Sequence, residues 1–125
     1  PTGPTGATGP NGTWPTIQRI EPNVVKVPAS RRFQALKVTC REGTCQILRA
    51  VVGGKIRSRN ITVRSFVNTQ PFTAGESRII TVEIVKQASY RQLRNVKSGS
   101  ITVSPTVVTS TGVRFSESFR FGLKR

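Results

Sequence analysis

Apolar and polar residues alternate along most of the chain after residue 13. The alternation has the period of two that is typical of half-buried β-strands, and Val, Ile, Thr and Phe dominate it. It predicts seven strands, over residues 17–27 (interrupted by Pro22), 33–40, 45–52, 60–68, 78–86, 100–109 and 113–123. Turn-forming residues separate them at Pro28 and at residues 41–44, 53–54, 70–71, 74–75, 98–99 and 111–112.

The same alternation predicts which side chains face the core. Ile80, Val82 and Ile84 share an inner face, with Thr81 and Glu83 pointing outward. In the last strand the inner face consists of Val113, Phe115, Phe119, Phe121 and Leu123. Residues 86–95 break the pattern and fit a short helix that crosses between strands. Seven short strands separated by turns predict an all-β, two-sheet sandwich of immunoglobulin or fibronectin type, with a jelly roll as the alternative.

The first twelve residues follow a different rule, in which every third residue is glycine. Gly3, Gly6, Gly9 and Gly12 stand in the triplets PTG, PTG, ATG and PNG. Only glycine fits at the crowded axis of a collagen triple helix, so this period predicts a homotrimeric stalk, and a flexible linker is the alternative. Four triplets are too few to hold a trimer alone, and we expect them to end a longer tract. The predicted boundary separates a stalk end, residues 1–13, from a β-sandwich domain, residues 14–125.

Composition restricts the chemistry of the chain. It has 20 Lys and Arg against 5 acidic residues, and the resulting formal charge of +15 favours an anionic partner. It has no His, so it lacks the most common general base and a common metal ligand. The five carboxylates are well separated glutamates. We therefore expect no catalysis, no cofactor and no metal site. No apolar run approaches the roughly 18 residues that a membrane span requires.

The two cysteines, Cys40 and Cys45, flank a four-residue turn between two predicted strands. They are expected to form a disulfide across a hairpin, which indicates an oxidising, extracytoplasmic environment. A thiol redox centre is the alternative, although it usually has a shorter Cys-x-x-Cys spacing.

Four segments together resemble an immunoglobulin-like domain that is common in secreted proteins of actinobacteria. They are residues 36–48 (LKVTCREGTCQIL), 74–85 (AGESRIITVEIV), 90–94 (YRQLR) and 100–103 (SITV). The resemblance covers about residues 36–123 and departs from the family pattern at residues 110–112, where STG replaces the usual Asp-x-x-Gly-Asn turn. The Pro-Thr-Gly tract resembles the collagen-like stalks of bacterial surface and spore-coat proteins. In those stalks threonine commonly carries sugars, which would correspond to Thr2, Thr5 and Thr8. Both resemblances imply a structural role outside the cell.

Lys55, Arg57 and Arg59 form the densest basic segment next to a predicted loop. They are candidates for binding an anionic glycan or cell-wall polymer, with a solvated loop as the alternative. The absence of an aromatic platform on the basic face of the strands argues against nucleic acid. Asn11 and Asn60 each begin an N-glycosylation acceptor pattern.

Trp14 lies where stalk meets domain, and it either covers the base of the trimer or closes its own sandwich. The sequence thus predicts an extracellular or cell-surface structural protein. In it a trimeric stalk carries a sandwich that caps the trimer or packs into a fibre or higher homopolymer. The alternative is an adhesin or phage-fibre tip on a virion surface, which would bind an anionic polymer through basic loops.

Overall fold

A computed structural model describes residues 15–93 and 99–124. The strands in this part of the chain are β1 (Thr16–Arg19), β2 (Val24–Lys26), β3 (Arg32–Thr39), β4 (Thr44–Ile56), β5 (Arg59–Ile61), β6 (Val63–Phe66), β7 (Phe72–Thr73), β8 (Ser77–Ile84), β9 (Gly99–Thr109), β10 (Arg114–Ser116) and β11 (Phe119–Lys124). One short helix, α1 (Gln87–Gln92), lies between β8 and β9.

The strands form two sheets that pack as a sandwich. The large sheet has seven strands in the order β2-β11-β9-β4-β5, with β10 paired to β9 and β7 paired to β4. The small sheet has four strands in the order β1-β3-β8-β6. The parallel pairing of β2 with β11 joins an early and a late segment of the chain.

The core lies between the sheets and draws on both of them. Leu36, Ile80 and Val82 come from the small sheet, while Ile47 and Phe121 come from the large one, and all of them are fully buried. The Phe33 and Phe121 rings meet in an edge-to-face arrangement across the sandwich, with their centroids 6.1 Å apart. The predicted all-β sandwich is confirmed, and so is the inner face of Ile80, Val82 and Ile84.

The predicted number of strands was wrong, because three predicted strands are divided. Residues 17–27 become β1 and β2, and residues 60–68 become β5 and β6; each of these pairs is split between the two sheets. Residues 113–123 become β10 and β11, and β7 was not predicted. A chain that changes sheets keeps its apolar alternation, so the pattern continues across the crossing.

The predicted turn at Gly53-Gly54 was also wrong, since β4 runs through both glycines to Ile56. The turn lies at Arg57 and Ser58, which have φ values of 51° and 67°. Positive φ at both central residues is the geometry of a tight two-residue hairpin, usually formed by Asn-Gly. Arg-Ser gives no such signal in the sequence.

Two predicted orientations need correction as well. Val113 is 41% exposed, because it precedes β10 at a strand end, whereas Phe119, Phe121 and Leu123 are buried as predicted. Glu83 is only 6% exposed although it is on the outer face of the small sheet, since two arginines cover it. The predicted helix is confirmed over a shorter span, with Tyr90 buried.

Cys40 and Cys45 form the predicted disulfide, but not across a hairpin. Cys40 follows β3 of the small sheet and Cys45 lies in β4 of the large sheet, so the bond joins the two sheets through the arch at residues 40–44. A second arch, residues 74–76, lies beside it and connects β7 to β8. The backbone N–H groups of Ala74 and Gly75 donate to the carbonyls of Gly43 and Cys40. We call this the arch end of the sandwich.

Candidate functional site

The predicted site residues fall into two groups. The stalk glycines (Gly3, Gly6, Gly9 and Gly12), the candidate glycosylation sites (Thr2, Thr5, Thr8 and Asn11) and Trp14 lie outside the described residues. The disulfide and the basic segment are described.

The three cations of the basic segment do not share one surface. Lys55 is in β4 and pairs with Asn60 of β5 on the face of the large sheet that points away from the core. Arg59 pairs with Ile56, whose side chain points toward the core, so Arg59 has the opposite orientation. Arg57 is in the turn. The structure therefore separates Lys55 from Arg59.

Lys55 instead lines a shallow depression on the outer face of the large sheet, with a volume of about 350 Å³. Its lining consists of Gly53, Gly54, Lys55, Asn60, Ser100, Thr102 and Arg120. We call it the Gly53 depression. It unites strands that are far apart in sequence, because Thr102 of β9 pairs with Gly53 on one side and with Arg120 on the other.

Gly53 creates the hollow. It is in the row of Thr102 and Arg120, and a Cβ at its position would meet no atom within 4 Å, so this row lacks one outward side chain. The sheet is continuous beneath it, and the hydroxyls of β9 form the floor. Lys55 and Arg120 flank that floor diagonally, with Cα atoms roughly 12 Å apart by the usual strand spacings.

The depression is cationic and its polar side chains are unpaired. In residues 15–93 and 99–124, the side chains of Lys55, Asn60, Ser100, Thr102 and Arg120 form no hydrogen bond or ion pair. None of the residues that line the depression is acidic, so an anion there would meet no carboxylate in the lining.

The depression also has a defined place along the sandwich. The described chain begins at Pro15 and Thr16, and Thr16 pairs with Thr39 next to the disulfide, at the arch end. Ser100 and Lys55 lie close to the opposite end, near Ile56 and Gly99. Lys55 lies ten positions after Cys45 along β4, a distance of roughly 30 Å. Whatever precedes Pro15 is thus attached at the end away from the depression.

The carboxylates take part in interactions of their own. Arg32 Nε donates to Glu83 Oε2 at 3.0 Å and Arg64 Nε to Oε1 at 2.6 Å; these hydrogen bonds, from Arg32 first, lower the pKa of Glu83. Donation from the Thr73 backbone N–H lowers the pKa of Glu76, and partial burial raises that of Glu117. Among the described residues no group of three or more potential ligands could hold a metal ion.

Sequence reasoning did not include Arg120, Ser100 and Thr102 among the site residues. A signal was present, since residues 100, 102, 104 and 106 are Ser, Thr, Ser and Thr on one face of a predicted strand. Asn60, noted only for its glycosylation pattern, lies at the rim of the depression.

No family model, curated protein or solved structure matches the chain. The described part contains no helix of the length and apolarity that a membrane crossing needs. The function is therefore inferred from the sequence pattern and the geometry above.

Proposed function

We propose that the protein is an extracellular structural protein in which a trimeric collagen-like stalk displays an immunoglobulin-like β-sandwich. The observation that carries the proposal is the glycine at positions 3, 6, 9 and 12, directly before a domain with a core of its own. Glycine has only a hydrogen atom as its side chain, so a chain with glycine at every third residue fits at the crowded axis of a triple helix. The resemblance of the tract to bacterial surface stalks adds support.

The disulfide supports a location outside the cytoplasm, because such bonds persist in oxidising compartments. It braces the arch end, beside Thr16, where a stalk would join the domain. A linkage between the two sheets at that point resists their separation when the stalk is pulled. The cell surface is thus the location we propose, with a virion surface as the alternative.

The edges of the sheets favour controlled assembly of the sandwich. The strands that pair along one side only are β1, β2, β5, β6, β7 and β10, and all of them except β7 carry a cation: Arg19, Lys26, Arg59, Arg64 and Arg114. Charged edge residues discourage unwanted strand pairing. The sandwich then either caps the trimer or packs into a surface fibre through specific contacts other than strand pairing at its edges.

The proposal is tested by lengthening the stalk. We extend the chain at its amino end by about ten further Pro-Thr-Gly triplets. In sedimentation we expect this chain to have the mass of a trimer, and in circular dichroism we expect the spectrum of a triple helix, which is lost on heating. A control extension has the same residues in scrambled order, without the period. If the periodic and the scrambled chains form assemblies of equal mass in solution, the proposal is contradicted. The mass of residues 14–125 alone shows whether the sandwich adds trimer contacts.

A second candidate function is adhesion to an anionic surface polymer. The Gly53 depression favours it, because its lining contains two cations, Lys55 and Arg120, and no carboxylate. Binding of this kind weakens in moderate salt, since solvent-exposed charges are screened. Binding that is indifferent to salt would count against it.

A further inference from the structure

We propose that the Gly53 depression binds a carboxylated polysaccharide, with an acidic sugar between Lys55 and Arg120. The proposal deepens the adhesive function and rests on it for its setting at a surface. It concerns the face of the large sheet rather than the basic turn, because Lys55 and Arg59 point in opposite directions.

Gly53 is the first reason to regard the hollow as a site. A Cβ built on Gly53 meets no atom within 4 Å, and its φ is not in the left-handed range. Neither packing nor backbone conformation therefore requires glycine here. In a strand interior glycine weakens the sheet and often marks a close approach by another molecule. The neighbouring Gly54 differs, because its Cβ would lie 2.9 Å from Ile61 Cγ1.

The chemistry of the lining indicates the class of ligand. Arg120 offers a planar donor fork that matches a carboxylate, and Lys55 offers a second cation. Ser100, Thr102 and Asn60 both donate and accept hydrogen bonds, as the hydroxyls of a sugar do. The aromatic rings of β10 and β11 point toward the core, so within the described chain this face offers bases nothing to stack on. A glycan therefore fits better than a nucleic acid.

The hydroxyl row continues beyond the depression, which favours a polymer over a single sugar. Ser104 and Thr106 follow Thr102 on the same face of β9, and Ser100 to Thr106 span roughly 20 Å. Ser104 exchanges a hydrogen bond with Ser118 at 2.8 Å. Arg49 pairs with Thr106 at the end of this row and adds a third exposed cation. An extended chain along β9 would meet cations near both ends.

The position of the site suits display on a stalk. The depression lies near the end of the sandwich opposite Thr16, where the preceding segment is attached. Three copies on one stalk would present three such sites away from their anchor. A polymer long enough to reach more than one copy would gain avidity without any new contact.

The test measures binding of the 125-residue chain to three polymers by isothermal titration calorimetry. The polymers are polygalacturonate, which is carboxylated, dextran sulfate, which is sulfated, and neutral dextran. We expect binding to polygalacturonate that weakens as salt is raised, weaker binding to dextran sulfate and none to dextran. Equal binding to both anionic polymers would overturn the assignment of a carboxylated ligand.

Point variants locate the site. We expect Gly53→Val, which fills the hollow, and Arg120→Gln, which removes the fork, each to weaken polygalacturonate binding by about tenfold without loss of thermal stability. Lys37→Gln is the matched control for Lys55→Gln, because Lys37 is an exposed lysine on the outer face of the small sheet. We expect Lys55→Gln to weaken binding and Lys37→Gln to leave it within about twofold.

Full affinity in Gly53→Val, or equal losses in Lys55→Gln and Lys37→Gln, would overturn the site. Failure of this inference is distinct from failure of the stalk. A trimeric protein that does not bind polygalacturonate contradicts only the site. A chain with the lengthened stalk that stays monomeric, but whose polygalacturonate binding is weakened by Gly53→Val and Arg120→Gln, supports the site and contradicts the stalk.

Discussion

The guanidinium group of Arg19 lies over the ring of Phe121, with its Cζ atom 4.6 Å from the ring centroid. The same group is 5.6 Å from the centroid of Phe119, and its Nη1 donates a hydrogen bond of 2.8 Å to the carbonyl of Arg120. Arg19 ends β1 of the small sheet, whereas the other three residues belong to β11 of the large sheet. This one side chain therefore links the first strand of the small sheet to the last strand of the large sheet.

Replacing Arg19 by Ala is expected to lower the free energy of unfolding by about 1–2 kcal/mol, because it removes two cation–π contacts and a charged hydrogen bond at a partly solvated site. Urea denaturation measures the loss. Gln18→Ala is the matched control, since Gln18 is the preceding residue of β1 and points away from the core. Equal losses in the two variants would show that the contacts with β11 contribute nothing.

Removal of the disulfide is expected to cost about 2 kcal/mol, because the loop that it closes in the unfolded chain is short. The variant Cys40→Ser/Cys45→Ser should keep its β-sheet circular dichroism and melt at a lower temperature. Treatment of the wild-type protein with a reductant should reproduce the shift. Reductant should have no effect on the variant, and a shift there would mean that another change is responsible.

The two adjacent glycines of β4 should respond oppositely to substitution. Gly53→Val should be neutral or stabilising by up to about 1 kcal/mol, because its Cβ meets open space and valine favours strands. Gly54→Val should cost about 1–3 kcal/mol, since its Cβ would lie 2.9 Å from Ile61 Cγ1. Thermal melts compare them directly. A stable Gly54→Val variant would contradict the close contact across β4 and β5.

Stability should fall in acid because of Glu83. The hydrogen bonds from Arg32 and Arg64 lower its pKa from the ordinary value of 4.5, so the folded protein holds fewer protons than the unfolded chain. This contribution is complete above pH 4.5 and is lost as the pH falls toward the lowered pKa. Urea midpoints between pH 3 and pH 6 should show a smaller acid loss for Glu83→Gln than for the wild type.

Glu117 provides a control of opposite sign. Partial burial raises its pKa, so folding favours the protonated form and its ionisation opposes folding as the pH rises. Glu117→Gln should therefore remove a destabilising effect at neutral pH and leave the acid loss in place. The same reduction of the acid loss in both variants would contradict the role of the two arginines.

The sequence was sufficient for the class of fold and for much of the core. Alternation placed Ile80, Val82, Ile84 and Phe121 inside, because side chains on a strand alternate between faces wherever that strand pairs. Alternation does not tell which sheet a strand joins. The crossing between β5 and β6 therefore remained hidden, and so did the disulfide's position between sheets rather than across a hairpin.

The candidate site could be predicted only in part. Lys55 was named because of its charge, but Arg120 lies 65 residues later in the chain and reaches it only through the pairing of β4, β9 and β11. The register also places the open position at Gly53 beside Thr102, which the sequence alone does not show. Glu83 was expected in solvent because no local pattern shows that Arg32 and Arg64 flank it in the neighbouring strands.

The antiparallel pairing of β1 with β3 determines how the domain would respond to tension. A force applied through Pro15 pulls β1 along its own axis, so the hydrogen bonds of Thr16–Arg19 to β3 are strained together in shear rather than opened one at a time. Arg19, at the carboxyl end of β1, also holds this strand through its hydrogen bond and cation–π contact with β11. The first strand is thus the mechanical anchor of the sandwich.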